Sequence, residues 1–354
     1  MRSDSNGPRP IHPLNQQSLL SQFIRPYQKY FLVKKLTKKL YSLILENALP
    51  VLIQKASPVD KLFVIMVRAF LRKNVPEPIK EPVKKVLKDY GQATSKWRAL
   101  PDWLIIGAQK GGTSSLFFYL QQHPEIGFAP EITKEVHYFD WHHQHYLDWY
   151  RAHFPLKISY KLSNIRSTGE ATPEYLFHPL APNRISKSLP DAKFLIILRN
   201  PINRAYSHWK MSIRHGHETL NFLDAIEAEE DRLGQEREHL KTQGDEYSWH
   251  SPLAWFSYLS RGRYTEQIEH WLKFFSREKL LILRSEDMFS NPHEVLSKTT
   301  HFLELKEFKR IDLEPMNTGG YQKKMPPETY KKLAAYFAPH NQNLLKYVDW
   351  DPKW

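Results

Sequence analysis

At 354 residues, with 51 Lys or Arg against 38 Asp or Glu and a formal charge of +13, the chain has room for one α/β domain of about 250 residues plus an extension. It contains no cysteine, which excludes a disulfide framework and any cysteine-based zinc or redox site. No segment reaches about 18 uninterrupted apolar residues and the N-terminus lacks a secretory signal pattern, so neither a membrane span nor a secretory leader is expected.

The excess charge is unevenly placed. Residues 1–97 hold 18 Lys or Arg against 6 Asp or Glu, whereas residues 98–354 hold 33 against 32. A nearly neutral second part argues against nucleic acid as partner, despite the basic total. The expected organisation is therefore a basic helical extension and linker over 1–97, followed by a catalytic-sized domain over 98–354. Residues 1–17 are polar with three prolines and read as disordered. Residues 18–73 contain two apolar-rich helical patterns, starting at Phe31 and Lys61 and separated by Pro50 and Ser57. Their basic faces suit peripheral contact with anionic lipid, or alternatively solvent around helices that pack on the rest of the chain. Residues 74–97 read as a Pro-rich linker ending in a short helix.

The segment PDWLIIGAQKGGTSSLFFYLQQHP, residues 101–124, reads as a strand, a glycine-bearing loop with one lysine, and a helix. Backbone N–H groups at such a helix start, with the positive end of its dipole, form an anion cradle. Gly107 and Gly112 have P-loop spacing, but Thr113 stands where the lysine of GxxxxGK[ST] belongs, and the lysine, Lys110, lies in mid-loop. That arrangement suits a nucleotide with a single 5′ phosphate group better than a triphosphate. A glycine-rich turn with an exposed lysine is the alternative from this loop alone.

Next come TKEVHYFDW, residues 133–141, and GEATPEYLF, residues 169–177. By composition Glu135 reads as a solvated loop carboxylate, and Glu170 as an ion pair at a strand end or a second functional carboxylate. The intervening His142, His143, His145 and His153 read as surface or acceptor-cleft residues, and no metal is expected. Residues 193–209, KFLIILRNPINRAYSHW, again pass from strand to helix, with Asn200 as N-cap and Pro201 at the first helical position. Arg199 then sits at a strand's carboxyl end and Ser207 about two turns into the helix, and together they suit a second phosphate. Trp249, His250, Tyr258, Arg261 and Arg263 are candidate acceptor contacts, among aromatic residues that mostly read as core.

GAQKGGTSSL, KEVHYFDW, TPEYLF and LRNPINRAYSHW, in this order and spacing, resemble the sulfotransferases that use 3′-phosphoadenosine 5′-phosphosulfate (PAPS). The similarity is greatest to heparan sulfate sulfotransferases of the glucosaminyl 3-O and N- types and their bacterial relatives, over about residues 101–354. The resemblance implies an α/β P-loop-like three-layer sandwich with a central parallel sheet. It implies that Lys110, Gly111, Gly112, Thr113, Ser114 and Ser115 hold the 5′-phosphosulfate and that Arg199 and Ser207 hold the 3′-phosphate. Lys323 or Lys324, in a late basic loop, would also reach the donor.

Glu135 matches the family's catalytic base. His137, two residues on, would share its face in an extended segment and orient it or share its proton. Lys110 would neutralise the leaving oxygen as the bond to sulfur lengthens, since positioning and electrostatics carry this kind of transfer. The heparan-type enzymes have a lysine after the glutamate of the GEATPEYLF segment, where this chain has Ala171. The expected reaction is sulfuryl transfer to a hydroxyl, or an amine, on a glycan. The alternatives are a P-loop nucleotide kinase and a non-catalytic nucleotide-binding membrane adaptor.

Overall fold

Among the described residues, four short and mostly buried strands form a wholly parallel sheet: β1 (Trp103–Gly107), β2 (Gly169–Ala171), β3 (Lys193–Leu198) and β4 (Leu280–Arg284), in the order β2-β1-β3-β4. The computed structural model describes residues 77–129, 134–234, 236, 250–313, 325–352 and 354. The two helical patterns within 18–73, together with Trp249, Lys323 and Lys324, lie outside them.

Burial of strands on both faces explains their continuous apolar runs. Period-two alternation sends Leu104, Ile106, Phe194, Ile196, Leu198 and Ile282 into one cluster. Trp103, Ile105, Leu195, Ile197 and Leu283 enter the other. The first cluster is closed by Ala181 and Ile185 of α5 (Ala181–Ser188) and by Ile268 and Trp271 of α9 (Tyr264–Trp271). The second is closed by Leu116, Phe117 and Leu120 of α2 (Thr113–Gln121), Met288 of α10 (Ser285–Ser290), and Val295 and Leu296 of α11 (Pro292–Phe302). These are the three layers of the expected sandwich.

Strand order fixes where a ligand can sit. From β1 the chain moves outward to β2 and then crosses back to β3 on the other flank, so β1 and β3 diverge in connection at their carboxyl ends. The crevice at such a switch point is where open α/β sheets bind ligands. The loop after β1 and the start of α6 (Pro201–Arg214) both open there.

Ahead of the sheet, the segment expected to be a Pro-rich linker ending in a short helix is helical along most of its length, as the 17-residue α1 (Glu77–Ala93). Pro78 falls in its first turn, where N–H groups lack intrahelical partners, so that proline does not oppose the helix. Its C-terminal end is tied to α3 (Leu147–Arg151) and the residues after it. Gln92 Nε2 donates to Trp149 O at 3.3 Å, and Arg98, just past the helix, donates through Nη1 to Phe154 O at 2.6 Å. Among the described residues no helix is long and apolar enough to cross a membrane.

Candidate active site

The loop after β1 is shaped by close backbone packing. A Cβ on Gly111 would lie 2.4 Å from Ile197 O, and Gly112, the N-cap of α2, has φ +109°, so both positions require glycine. Lys110 between them also takes a left-handed conformation, φ +67°. The turn brings the loop under the end of β3, where Ala108 N donates to Ile197 O at 2.9 Å and Arg199 Nη1 donates to Lys110 O at 3.4 Å. Ser114 is half-buried at the mouth of the turn, while Thr113 and Ser115 are buried behind it.

Asn200 caps α6 as expected, its Oδ1 accepting from Ile202 N at 2.9 Å and Asn203 N at 3.2 Å, with Pro201 at the helix start. Capping holds Arg199 at the carboxyl end of β3, where its own carbonyl accepts from Tyr264 Oη at 2.7 Å. Ser207 lies in α6 and is buried.

Lys110 sits in a cationic surround. Burial, followed by the charges of Arg214, Lys134 and Arg199, lowers its ammonium to about 8, and Glu135 pulls the other way. A bound dianion would remove that penalty, which is the electrostatic signature of a site built for an anion.

The backbone turns at His137, φ +54°, two residues past Glu135, so the segment is not the single extended run that would have put both side chains on one face. The two side chains nevertheless meet, with His137 Nε2 3.6 Å from Glu135 Oε2. The other ring nitrogen, Nδ1, lies 2.7 Å from Asp140 Oδ2, and the ring stacks on Trp141 at 3.4 Å with a 6° interplanar angle. Asp140, whose side chain is fully buried, was not picked out in the sequence. The i, i+3 spacing of His137 and Asp140 was the available signal, but only a turn makes it a contact.

Burial would lower His137, but the charge and hydrogen bond of Asp140 and the nearby Glu135 carboxylate outweigh it and raise the ring to about 9. For Glu135 burial acts upward, yet the His137 ring 3.6 Å away and the neighbouring Lys134 ammonium hold the carboxyl down at about 2. Lys134 Nζ is paired directly with Glu135 Oε1. Near neutral pH these shifts favour an imidazolium at His137 beside a carboxylate at Glu135.

A second layer anchors this turn through consecutive backbone N–H groups. Val136 N donates to Glu170 Oε2 at 3.3 Å, His137 N to Thr172 Oγ1 at 3.4 Å, and Tyr138 N to Tyr175 Oη at 2.9 Å. Glu170 in turn accepts from Thr172 Oγ1 at 2.6 Å and Tyr150 Oη at 2.7 Å. The expected ion pair at Glu170 is therefore replaced by a hydrogen-bonded cluster with hydroxyls, in which burial pushes its carboxyl up to about 7. Thr172 and Tyr175 were quoted in the sequence only as part of a motif, and their work as acceptors depends on a contact some 35 residues away.

Two expected acceptor contacts are corrected. Tyr258 is fully buried, donating to Glu218 Oε2 at 2.9 Å, and Arg261 is buried in an ion pair with Glu174. Arg263 lies near Glu266 at 3.5 Å and His250 is exposed. A concavity of about 390 Å³ lined by Asp102, Lys193 and Glu304 opens at the strands' amino ends, away from the cradle. Among the described residues no group of three or more His, Asp or Glu side chains is arranged to hold a metal.

Comparison with known proteins agrees with this fold. The sulfotransferase domain family matches residues 100–337. A membrane-associated sulfotransferase, kil1, of Dictyostelium discoideum is 28% identical over 344 residues, covering 79% of this chain and 72% of that protein. The heparan sulfate glucosamine 3-O-sulfotransferase 3B1 of Homo sapiens is 31% identical over 210 residues, covering 59% of this chain and 47% of that protein. This chain thus spans about half the length of that relative. Among solved structures, a sulfotransferase from Alicyclobacillus acidocaldarius superposes with a TM-score of 0.52 at 30% identity, covering 70% of this chain and 94% of that one. The chain belongs to the sulfotransferase family and is a PAPS-dependent enzyme that moves a sulfuryl group to an acceptor.

Proposed function

We propose that the acceptor is a hydroxyl, or an amine, on a carbohydrate, and that the transfer is carried by Lys110, Glu135 and His137 at the switch-point crevice. The observation that carries this reading is the convergence of Lys110, Glu135, Lys134 and Arg199 at the carboxyl ends of β1 and β3, close enough for each charge to act on Lys110. In this reading the backbone of Gly111, Gly112 and Thr113, with the Ser114 and Ser115 hydroxyls, receives the 5′-phosphosulfate of the donor. Arg199 and Ser207 receive the 3′-phosphate, and Lys323 and Lys324 reach the donor from the late basic loop. Gly111 lets the loop pack against the end of β3, where a Cβ would meet Ile197 O at 2.4 Å, and that packing fixes the loop whose backbone N–H groups would receive the phosphate.

The proton steps follow from these charges. Lys110, cationic below about 8, stabilises charge on the departing phosphate oxygen. Glu135 accepts the proton from the acceptor oxygen or nitrogen as sulfur approaches it. His137, fixed by Asp140 and by stacking on Trp141, orients that carboxylate. Relatives named for heparan sulfate support a glycan acceptor. A kinase reading is disfavoured because Thr113 occupies the place of the P-loop lysine.

We further propose that residues 1–97 form a separate extension to the domain at 98–354 and that its segment 18–73 makes peripheral contact with membrane. A cytoplasmic and bacterial setting is part of this reading, supported by the absence of cysteine. The test is a screen of labelled donor against glycans, lipids and small hydroxyl compounds. Label transferred to saccharide is expected. Label moving only to lipids or to small phenols or alcohols would overturn the carbohydrate reading.

A further inference from the structure

An apolar and basic face lies on the described domain, away from the crevice. Trp97 is 67% exposed, and Ile158 and Leu162 of α4 (Ile158–Leu162) are 41% and 42% exposed. They form one surface. Arg98 and Leu156 make an antiparallel bridge, Lys157 N donates to Trp97 O at 2.8 Å, and Leu162 is one helical turn from Ile158. Lys96, Lys157 and Lys161 are exposed around these three side chains. The sequence over 156–166, LKISYKLSNIR, adds Arg166 and contains no acidic residue. Asp102, exposed at the start of β1, is engaged by hydrogen bonds, accepting from Tyr160 Oη at 2.9 Å and Thr168 N at 2.8 Å.

We infer that this Trp97–Ile158–Leu162 face, with its ring of lysines, docks on an anionic lipid bilayer. A tryptophan and two aliphatic side chains surrounded by lysines match an interface in which apolar groups enter the acyl boundary and ammonium groups meet lipid phosphates. Charge complementarity favours a bilayer over a second copy, because two such faces would bring six lysines together.

Orientation follows from the sheet. Tyr160 holds α4 against Asp102, at the amino end of β1, whereas the cradle opens at the carboxyl end. A docked domain therefore turns its reaction crevice away from the bilayer, toward acceptors that extend into solvent. This inference deepens the membrane reading given above for 18–73 and can fail separately from it.

Because the chain has no cysteine, Ile158→Cys provides a unique labelling position in the full-length protein, and Ser290→Cys, exposed at the opposite end of the sheet, provides the control. Each variant carries a polarity-sensitive fluorophore and is mixed at low salt with vesicles of phosphatidylserine and phosphatidylcholine, or of phosphatidylcholine alone. The expected result is a blue shift at 158 on the anionic vesicles only, reversed by salt, with no shift at 290. Trp97→Ala combined with Leu162→Ser should weaken vesicle partition about tenfold while leaving turnover on a soluble acceptor unchanged.

Vesicle binding with the 158 probe still in water would overturn the proposed face and leave the extension as the sole contact. Absence of vesicle binding by the full chain would overturn both readings. A concentration-dependent shift at 158 without vesicles would assign the face to a second copy.

Discussion

Tyr175→Phe tests whether the turn carrying Glu135 is held in place from below. The substitution keeps the buried ring and removes one hydroxyl, which accepts from Tyr138 N at 2.9 Å and Phe139 N at 3.4 Å and donates to Glu170 Oε1 at 3.2 Å. A buried N–H left without an acceptor costs about 1–3 kcal/mol, with the longer contact at the low end, so the combined loss is about 2–4 kcal/mol. For a domain of this size that is a fall in melting temperature of roughly 5–15 °C. If the turn relaxes by about 1 Å to find new partners, turnover should fall about a hundredfold. The donor cradle is built on the other side of β1, so binding of 3′-phosphoadenosine 5′-phosphate should change less than about twofold. The assay pairs steady-state kinetics with product-nucleotide binding and thermal melting. A variant that melts lower yet turns over at the parental rate would refute the idea that this hydroxyl positions the catalytic turn.

Glu135→Gln should reduce turnover by about two to four orders of magnitude while donor affinity stays near parental, and an unchanged kcat would remove Glu135 as the base. The pH dependence of kcat/KM for the donor should follow Lys110: its lowered value means the cation is present below about 8 and lost above it, so kcat/KM should be level near neutrality and fall on the alkaline side. A rate still climbing past the titration of His137, raised to about 9, would instead make neutral His137 the base. Asp140→Asn should let the His137 ring titrate far closer to the ordinary histidine value, read by NMR, and retention of the raised value would show that Asp140 does not sustain the imidazolium. Lys134→Ala should lower kcat about tenfold to a hundredfold with little change in donor binding, because it removes a cation adjoining the transfer site. Parental turnover would confine Lys134 to a surface pairing.

The parts legible in the sequence were those set by local rules. Continuous apolar runs gave buried parallel strands, and Asn200 followed by Pro201 gave the start of α6, because capping and burial act within a few residues. The tight turn at Lys110, Gly111 and Gly112 is legible for the same reason, glycine standing where the backbone packs closely or takes positive φ. The row Glu135, His137 and Asp140 was only partly legible, since an extended reading of residues 133–141 cannot bring Asp140 beneath His137. That requires a left-handed backbone at His137, which no local residue preference announces. Tyr258 and Arg261 were misplaced as acceptor contacts because aromatic and arginine side chains serve clefts and cores alike, and only the packing of Glu218 and Glu174 against them decides. The helix over 77–93 was hidden by prolines concentrated toward its start.

Ala171 shows how a missing residue can be read once neighbours are known. Its side chain is fully buried in the apolar cluster between the sheet and α2, beside Trp103 and Ile105. An ammonium at that position would have to leave the cluster or be desolvated within it, and an unpaired buried charge is strongly unfavourable. Its backbone, however, is joined to the turn that carries Glu135: Ala171 N donates to Lys134 O at 3.1 Å. Lys134 directs its ammonium to Glu135 and is one of the charges felt by Lys110. A cation missing from the strand side of this hydrogen bond is thus available from the turn side, one residue before the proposed base. The relocation couples two demands that a strand lysine would keep apart. Whatever moves the turn moves the base and the cation together, so the buried hydroxyls of Thr172 and Tyr175 that hold the turn set both at once.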